Sequence, residues 1–266
     1  VKRTCESLGC SKRKPQTKTN ARIRAEADLR NVVTMASMMM AICEGMSAKL
    51  IWNWDATQYE IDHDDNIKVI TIMSQNAQFI PTVKSKGILS FFVKHYHFHN
   101  AAGYRAPPVF VIANDTLDES QHLAYYVEDL GYNDGPAWIC FSKTRGGNAA
   151  FFNWYMKTII IPVIVMKRVV RDITVDGELP FAFVYCDGEA GQIAAVEDPE
   201  ILKIFDSSRI IVGKTPASCS GILQASDVAD TFRGIKKYLS SGTNGTPLTE
   251  DLRACILDIL TDAGIS

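Results

Sequence analysis

The chain has 266 residues, 47% of them apolar, a formal net charge of −2 and a mean hydropathy close to zero. That composition fits one large or two small globular domains with a sizeable core, without repeats. Seven irregularly spaced cysteines, an odd number, argue against a disulfide scaffold and for a reducing compartment. No stretch is expected to be long and apolar enough to span a membrane: 159–166 is short and contains Pro162.

Charge is unevenly spread. Residues 1–24 carry eight Lys or Arg against the single acid Glu6, so the body that follows is acidic. A basic tail on an acidic body reads as a flexible arm for nucleic acid, as an import signal, or simply as a solvated end. The SKRKP at 11–15 has the look of a nuclear import signal, so a nuclear location is expected. Cys5 and Cys10 are spaced as half of a zinc site, with no second pair nearby to complete it. The sequence starts with Val and shows no signal-peptide pattern, as a piece of a longer protein would.

In chain order, 25–48 is rich in Ala, Met and Leu and predicts a long leading helix whose Met run fills the core. Residues 50–54 form a short apolar run ending at Asp55, a predicted strand, and 66–73 (NIKVITIM) predicts its neighbour. Asp62, Asp64 and Asp65 between them read as a solvated turn, because the Gly and distal Glu of a calcium loop are missing. An insertion follows at about 75–107. It contains His95, His97 and His99 at period two, which on a strand places all three on one face, as a metal row or as packed rings.

Residues 108–113 predict a third strand, 117–130 a helix and 137–142 another strand. Gly146-Gly147-Asn148 precedes a predicted helix over about 149–161. Between 142 and 171 lie six basic residues and no acid, Lys143 and Arg145 among them, either a phosphate-facing surface or a charged helix face. The apolar run 181–186 predicts a buried strand ending at Asp187. A helix at about 198–205, a strand at 209–212, a helix from Ser226 or Asp227 to about 239 and a helix at 249–263 complete an α/β pattern.

Three acids stand at the ends of these elements: Asp55, Asp187 and Asp227. Phosphoryl transfer assisted by two divalent ions needs carboxylates from separate elements meeting at one point, because Mg²⁺ and Mn²⁺ prefer hard oxygen ligands. Each acid also has a local structural reading. Asp227 suits the first turn of a helix, Asp187 precedes Gly188 as a turn residue does, and Asp55 has the weakest such reading.

The segment 220–237, SGILQASDVADTFRGIKK, resembles the last motif of DDE transposases of the pogo/mariner kind. Ser220, Gly221, Ile222, Leu223, Gln224 and Asp227 match it, while Ala225 and Ser226 replace the usual Pro and Leu. NWDATQY resembles that family's first-acid motif and FVYCDGEAGQI its second, in the same order and on the same element types. The second is the least typical, lacking the His or Asn that more often follows the Asp.

The resemblance implies an α/β ribonuclease H-like fold, a five-stranded mixed sheet flanked by helices, with the first acid on the first strand, the second after the fourth and the third on a late helix. It divides the chain into a basic tail (1–24), a leading helix (25–49), a catalytic core (50–240) with insertions at about 75–107 and 114–147, and a C-terminal helical extension (241–266). It implies a Mg²⁺- or Mn²⁺-dependent DNA endonuclease and strand-transfer domain with Asp55, Asp187 and Asp227 as catalytic metal ligands for two ions. Lys214, Gln224, Lys143, Arg145, Lys236 and Lys237 are the expected DNA contacts. DNA is the expected partner, a homodimer stays open, and neither a membrane nor a small-molecule cofactor is expected. Two alternatives stay open beside it: a catalytically inactive DNA-binding or regulatory protein that retains the transposase fold, and an unrelated α/β domain with three incidental acids.

Overall fold

The structure is a computed structural model that describes residues 29–61, 91–114, 117–118, 120–130, 135–144, 146–169, 177–216, 254–256 and 258–259. A helix, α1 (Leu29–Cys43), leads through a 3₁₀ turn (Ala48–Leu50) into β1 (Ile51–Ile61). Six further strands follow: β2 (Phe91–Asn100), β3 (Val109–Ala113), β4 (His122–Val127), β5 (Ala137–Ser142), β6 (Ala182–Cys186) and β7 (Ile210–Lys214). They form one seven-stranded sheet in the order β4-β5-β3-β2-β1-β6-β7. β1, β2 and β3 are an antiparallel meander; β6 and then β7 add to β1 in parallel. On the other side β5 joins β3 in parallel and β4 closes that edge antiparallel.

The parallel additions require crossover connections. Between β5 and β6 the chain makes α2 (Ala149–Tyr155), a π-helical turn (Met156–Ile160) and α3 (Ile161–Val169), which form one continuous helix. Asn148 starts it by accepting from Phe151 N at 2.8 Å, the N-cap use of a short amide side chain. Between β6 and β7 come α4 (Ala190–Val196), which the sequence pattern does not predict, and α5 (Pro199–Ser207). Asp198 caps α5, accepting from Glu200 N and Ile201 N, with Pro199 supplying a preset first helical φ. Fully buried Arg168 closes the other end of α5. Its guanidinium donates to the carbonyl oxygens of Ser208 and Arg209, groups that a helix terminus leaves without intrahelical partners.

These helices cover one sheet face, where Trp52, Trp54, Tyr96, Phe98, Val111, Cys140 and Val184 pack against Phe151, Phe152, Tyr155 and Ile164. The opposite face is different. α1 covers its β6–β7 side through Met35, with Phe183, Tyr185 and Ile211 beneath. Ile256 sits over its β3–β5 side with Phe110, Ile112, Ile139 and Phe141. Between these two apolar clusters, the central strands β1 and β2 present Asn53, Asp55, Thr57, His95, His97 and His99.

Several expectations change. The sheet has seven strands rather than five, because the expected insertion after position 113 supplies β4 and β5. The helix expected over 117–130 is strand β4: Leu123 and Tyr125 pack on one face while Tyr126 pairs with Trp138 on the other. Its Tyr-Tyr-Val ending favours the extended state, and the open edge of β5 supplies the hydrogen bonds. The second strand of the meander is Phe91–Asn100, inside the stretch expected to be an insertion, while 66–73 lies outside the described residues. Asp55 does not end its strand; β1 runs on to Ile61. Against expectation, the 21-residue helix Ala149–Val169 is long and apolar enough to cross a membrane by length and composition; half of it is buried.

Candidate active site

Asp55 lies in the middle of β1 and is 5% exposed. Residue alternation puts it on the sheet face that carries the polar strip. Its cross-strand partner on β2 is His97, flanked by the pairs Asn53 with His99 and Thr57 with His95. The three histidines lie on one strand face, as their spacing predicts. His95 stacks near Phe110 at 4.9 Å between centroids and His97 meets His99 edge-on at 4.5 Å. Burial holds all three imidazoles neutral, pushing His95 down to about 3, His97 to about 2 and His99 to about 4. Among the described residues no group of three or more His, Cys, Asp or Glu is arranged to hold a metal.

Asp187 follows β6 directly. Trp54 and Cys186 are register partners in the parallel β1–β6 pair; Asp55 is the next residue of β1 and Asp187 the first residue after β6. Neighbouring strands run about 5 Å apart, so Asp187 leaves the sheet beside Asp55, which stays within β1. Both carboxylates act on the same thiol. Cys186 is raised to about 11, first by burial and further by Asp187 and Asp55, against the downward pull of the Gly188 N–H and Lys214. Both acids therefore lie near Cys186, one beside it on the neighbouring strand and one directly after it.

The turn after Asp187 is fixed by its neighbours. Gly188 adopts φ +81, a left-handed conformation open to glycine, and an added Cβ would meet the Thr215 carbonyl oxygen at 3.2 Å. Thr215 in turn grips the Cys186 carbonyl through both its backbone N–H and its hydroxyl, each at 2.9 Å. The fold is ribonuclease H-like. The decisive observation is the antiparallel β3-β2-β1 meander extended in parallel by β6 and β7, with one acid on β1 and another directly after β6.

In this ribonuclease H-like core the remaining expected residues fall as follows. Lys214 ends β7 beside Cys186, is exposed, and forms an ion pair with Glu197 at 2.6 Å. Lys143 follows β5 and is half-buried. Asp227, Gln224, Arg145, Lys236 and Lys237 lie outside the described residues, as do the basic tail and the Cys5/Cys10 pair. A further group beside Asp187 escapes sequence reasoning. Lys94, Tyr96 and Glu189 meet there, and no local motif announces them because they are about ninety residues apart in sequence.

No protein-family model matches the chain, and no curated protein sequence matches it. Two solved structures are similar to it. The crystal structure of a pre-cleavage Mos1 transpososome has a TM-score of 0.45 and 9% identity, over 93% of this chain and 64% of that one. The Mos1 transposase paired-end complex with left transposon end has a TM-score of 0.40 and 9% identity, over 93% of this chain and 63% of that one. The chain thus spans less than two thirds of the length of both.

Proposed function

We propose that the chain is a metal-dependent DNA endonuclease and strand-transfer domain of the DDE kind, with Asp55, Asp187 and Asp227 as its metal ligands. The observation that carries this reading is the placement of Asp55 and Asp187 at the same level of two adjacent parallel strands, beside a buried polar strip on the sheet's central strands. Central strands are ordinarily the most apolar part of a sheet; polar groups buried there must be hydrogen-bonded to avoid a desolvation cost, and departures from the apolar pattern gather at functional sites.

The donor set fits Mg²⁺ or Mn²⁺. Asp55 and Asp187 stand at adjacent positions of neighbouring parallel strands, and hard divalent ions take oxygen ligands from acids of this kind. Two such ions would supply an activated water or 3′-hydroxyl and stabilise the departing oxyanion. The chain's own contribution is rigidity and water exclusion. Asp55 is held in a paired, buried strand, and the Gly188 turn orients Asp187. Lys214, Lys143, Arg145, Lys236, Lys237 and Gln224 are assigned to DNA contact, a nuclear location follows from the 11–15 cluster, and a homodimer remains part of the proposal. A second reading, a binding protein that has lost cleavage, is favoured by the acidic charge of the body.

Supercoiled plasmid incubated with Mg²⁺ or Mn²⁺ separates the two. Nicking by the wild type, reduced at least about 100-fold in Asp187→Asn and in Asp227→Ala, is the expected result. Salt-dependent DNA binding without nicking by the wild type selects the second reading. Absence of both nicking and DNA binding overturns the two together.

A further inference from the structure

Lys94 on β2 and Glu189 at the start of α4 form an ion pair, Nζ to Oε1 2.5 Å, with side chains only 18% and 29% exposed. The Tyr96 hydroxyl, also from β2, lies 3.2 Å from Glu189 Oε2 and donates to the Gly146 carbonyl oxygen. Gly146 closes the group from the other side: an added Cβ there would stand 2.8 Å from Glu189 Oε1. Glu189 is also the N-cap residue of α4, and its backbone N–H donates to Gln192 Oε1 at 3.3 Å.

The consequence falls on Asp187. Asp187 and Gly188 lie between the last residue of β6 and the cap of α4, outside the sheet ladder. They are flanked by two held residues, Cys186 gripped at its carbonyl by Thr215 and Glu189 at its side-chain carboxylate by Lys94 and Tyr96. The strand that supplies Lys94 and Tyr96 is the one that pairs with Asp55 through His97. β2 therefore spans both acids, reaching one through the strand register and the other through the Glu189 carboxylate.

We infer that Glu189 is a positioning residue, clamped by Lys94 and Tyr96 so that the Asp187 turn presents its carboxylate to a divalent cation. This inference rests on the metal-site reading proposed above. A half-buried ion pair that joins two distant segments transmits the loss of either partner to both, unlike a solvated surface pair. Residues that orient metal ligands without touching the metal commonly change affinity about 10- to 100-fold when removed.

The test uses the full chain and Mn²⁺ alone, with no DNA. Mn²⁺ binding is followed by the loss of the free-ion electron paramagnetic resonance signal, and backbone hydrogen exchange is followed over residues 187–191. Glu189→Gln and Lys94→Met should each weaken Mn²⁺ binding about tenfold and speed exchange across 187–191, with the strands' exchange unchanged. Lys94→Glu combined with Glu189→Lys should restore both readouts towards the wild type, which a general loss of folding would not do. Unchanged exchange and unchanged Mn²⁺ affinity in the single variants overturn the inference while leaving the metal site standing. Saturable Mn²⁺ binding absent from the wild type overturns the metal reading and, with it, the purpose assigned to the clamp.

Discussion

At the scale of single residues, the polar strip has a thermodynamic signature. His95, His97 and His99 are held neutral by burial, with proton affinities far below that of an exposed imidazole near 6.5. The unfolded chain binds protons that the folded one refuses, so the contribution to stability is intact above about pH 6.5 and is lost as pH falls. Each buried imidazole costs on the order of 1–2 kcal/mol at pH 5 relative to pH 7. Thermal unfolding followed by circular dichroism should therefore show a midpoint that falls steadily between pH 7 and pH 4. His95→Gln should weaken that dependence, because it removes one of the three buried imidazoles, the one that packs on Phe110. A pH-independent midpoint over that range would contradict the burial of the row.

At the scale of elements, helix α4 decides how closely the Asp187 turn sits against the rest of the core. Gly191 makes this approach feasible: a Cβ built there would fall 2.2 Å from the Phe152 ring. Phe152 cannot yield easily, since it is enclosed by Trp54, Tyr96 and Phe151. Gly191→Ala should destabilise the protein by about 1–3 kcal/mol, the usual cost of overpacking, read as a lower urea midpoint. An unchanged midpoint would mean that α4 is not anchored there. Local pattern also misleads at this scale. The short apolar run of β4 carries no strong period and passes for a helix; only the edge of β5 makes it a strand. Asp55 interrupts the apolar run of β1 and mimics a strand end, whereas pairing with β2 carries the strand through it.

At the scale of the whole molecule, charge and architecture point in different directions. The body is acidic, while the first 24 residues hold eight of the 28 basic side chains. Under the proposed function, the tail should provide much of the non-specific DNA affinity. Deleting 1–24 should weaken binding and flatten the plot of log affinity against log salt, by roughly 0.9 for each phosphate that the tail neutralises. Fluorescence anisotropy with duplex DNA at several salt concentrations measures this, and an unchanged slope would remove the tail from the interface.

Strand-forming runs, the start of a helix after Asn148, and the exit of an apolar strand into Asp187-Gly188 are local properties, legible in the order of residues. Capping chemistry and the alternation of a strand act over a few residues, so they need no tertiary information. The common face of the His row is legible for the same reason. Folding alone sets this row opposite Asp55, makes 91–100 the second strand of the meander, and brings Lys94 and Tyr96 to Glu189. Register between distant strands and contacts across ninety residues depend on how apolar faces pack, a property of the assembled sheet that no local pattern encodes.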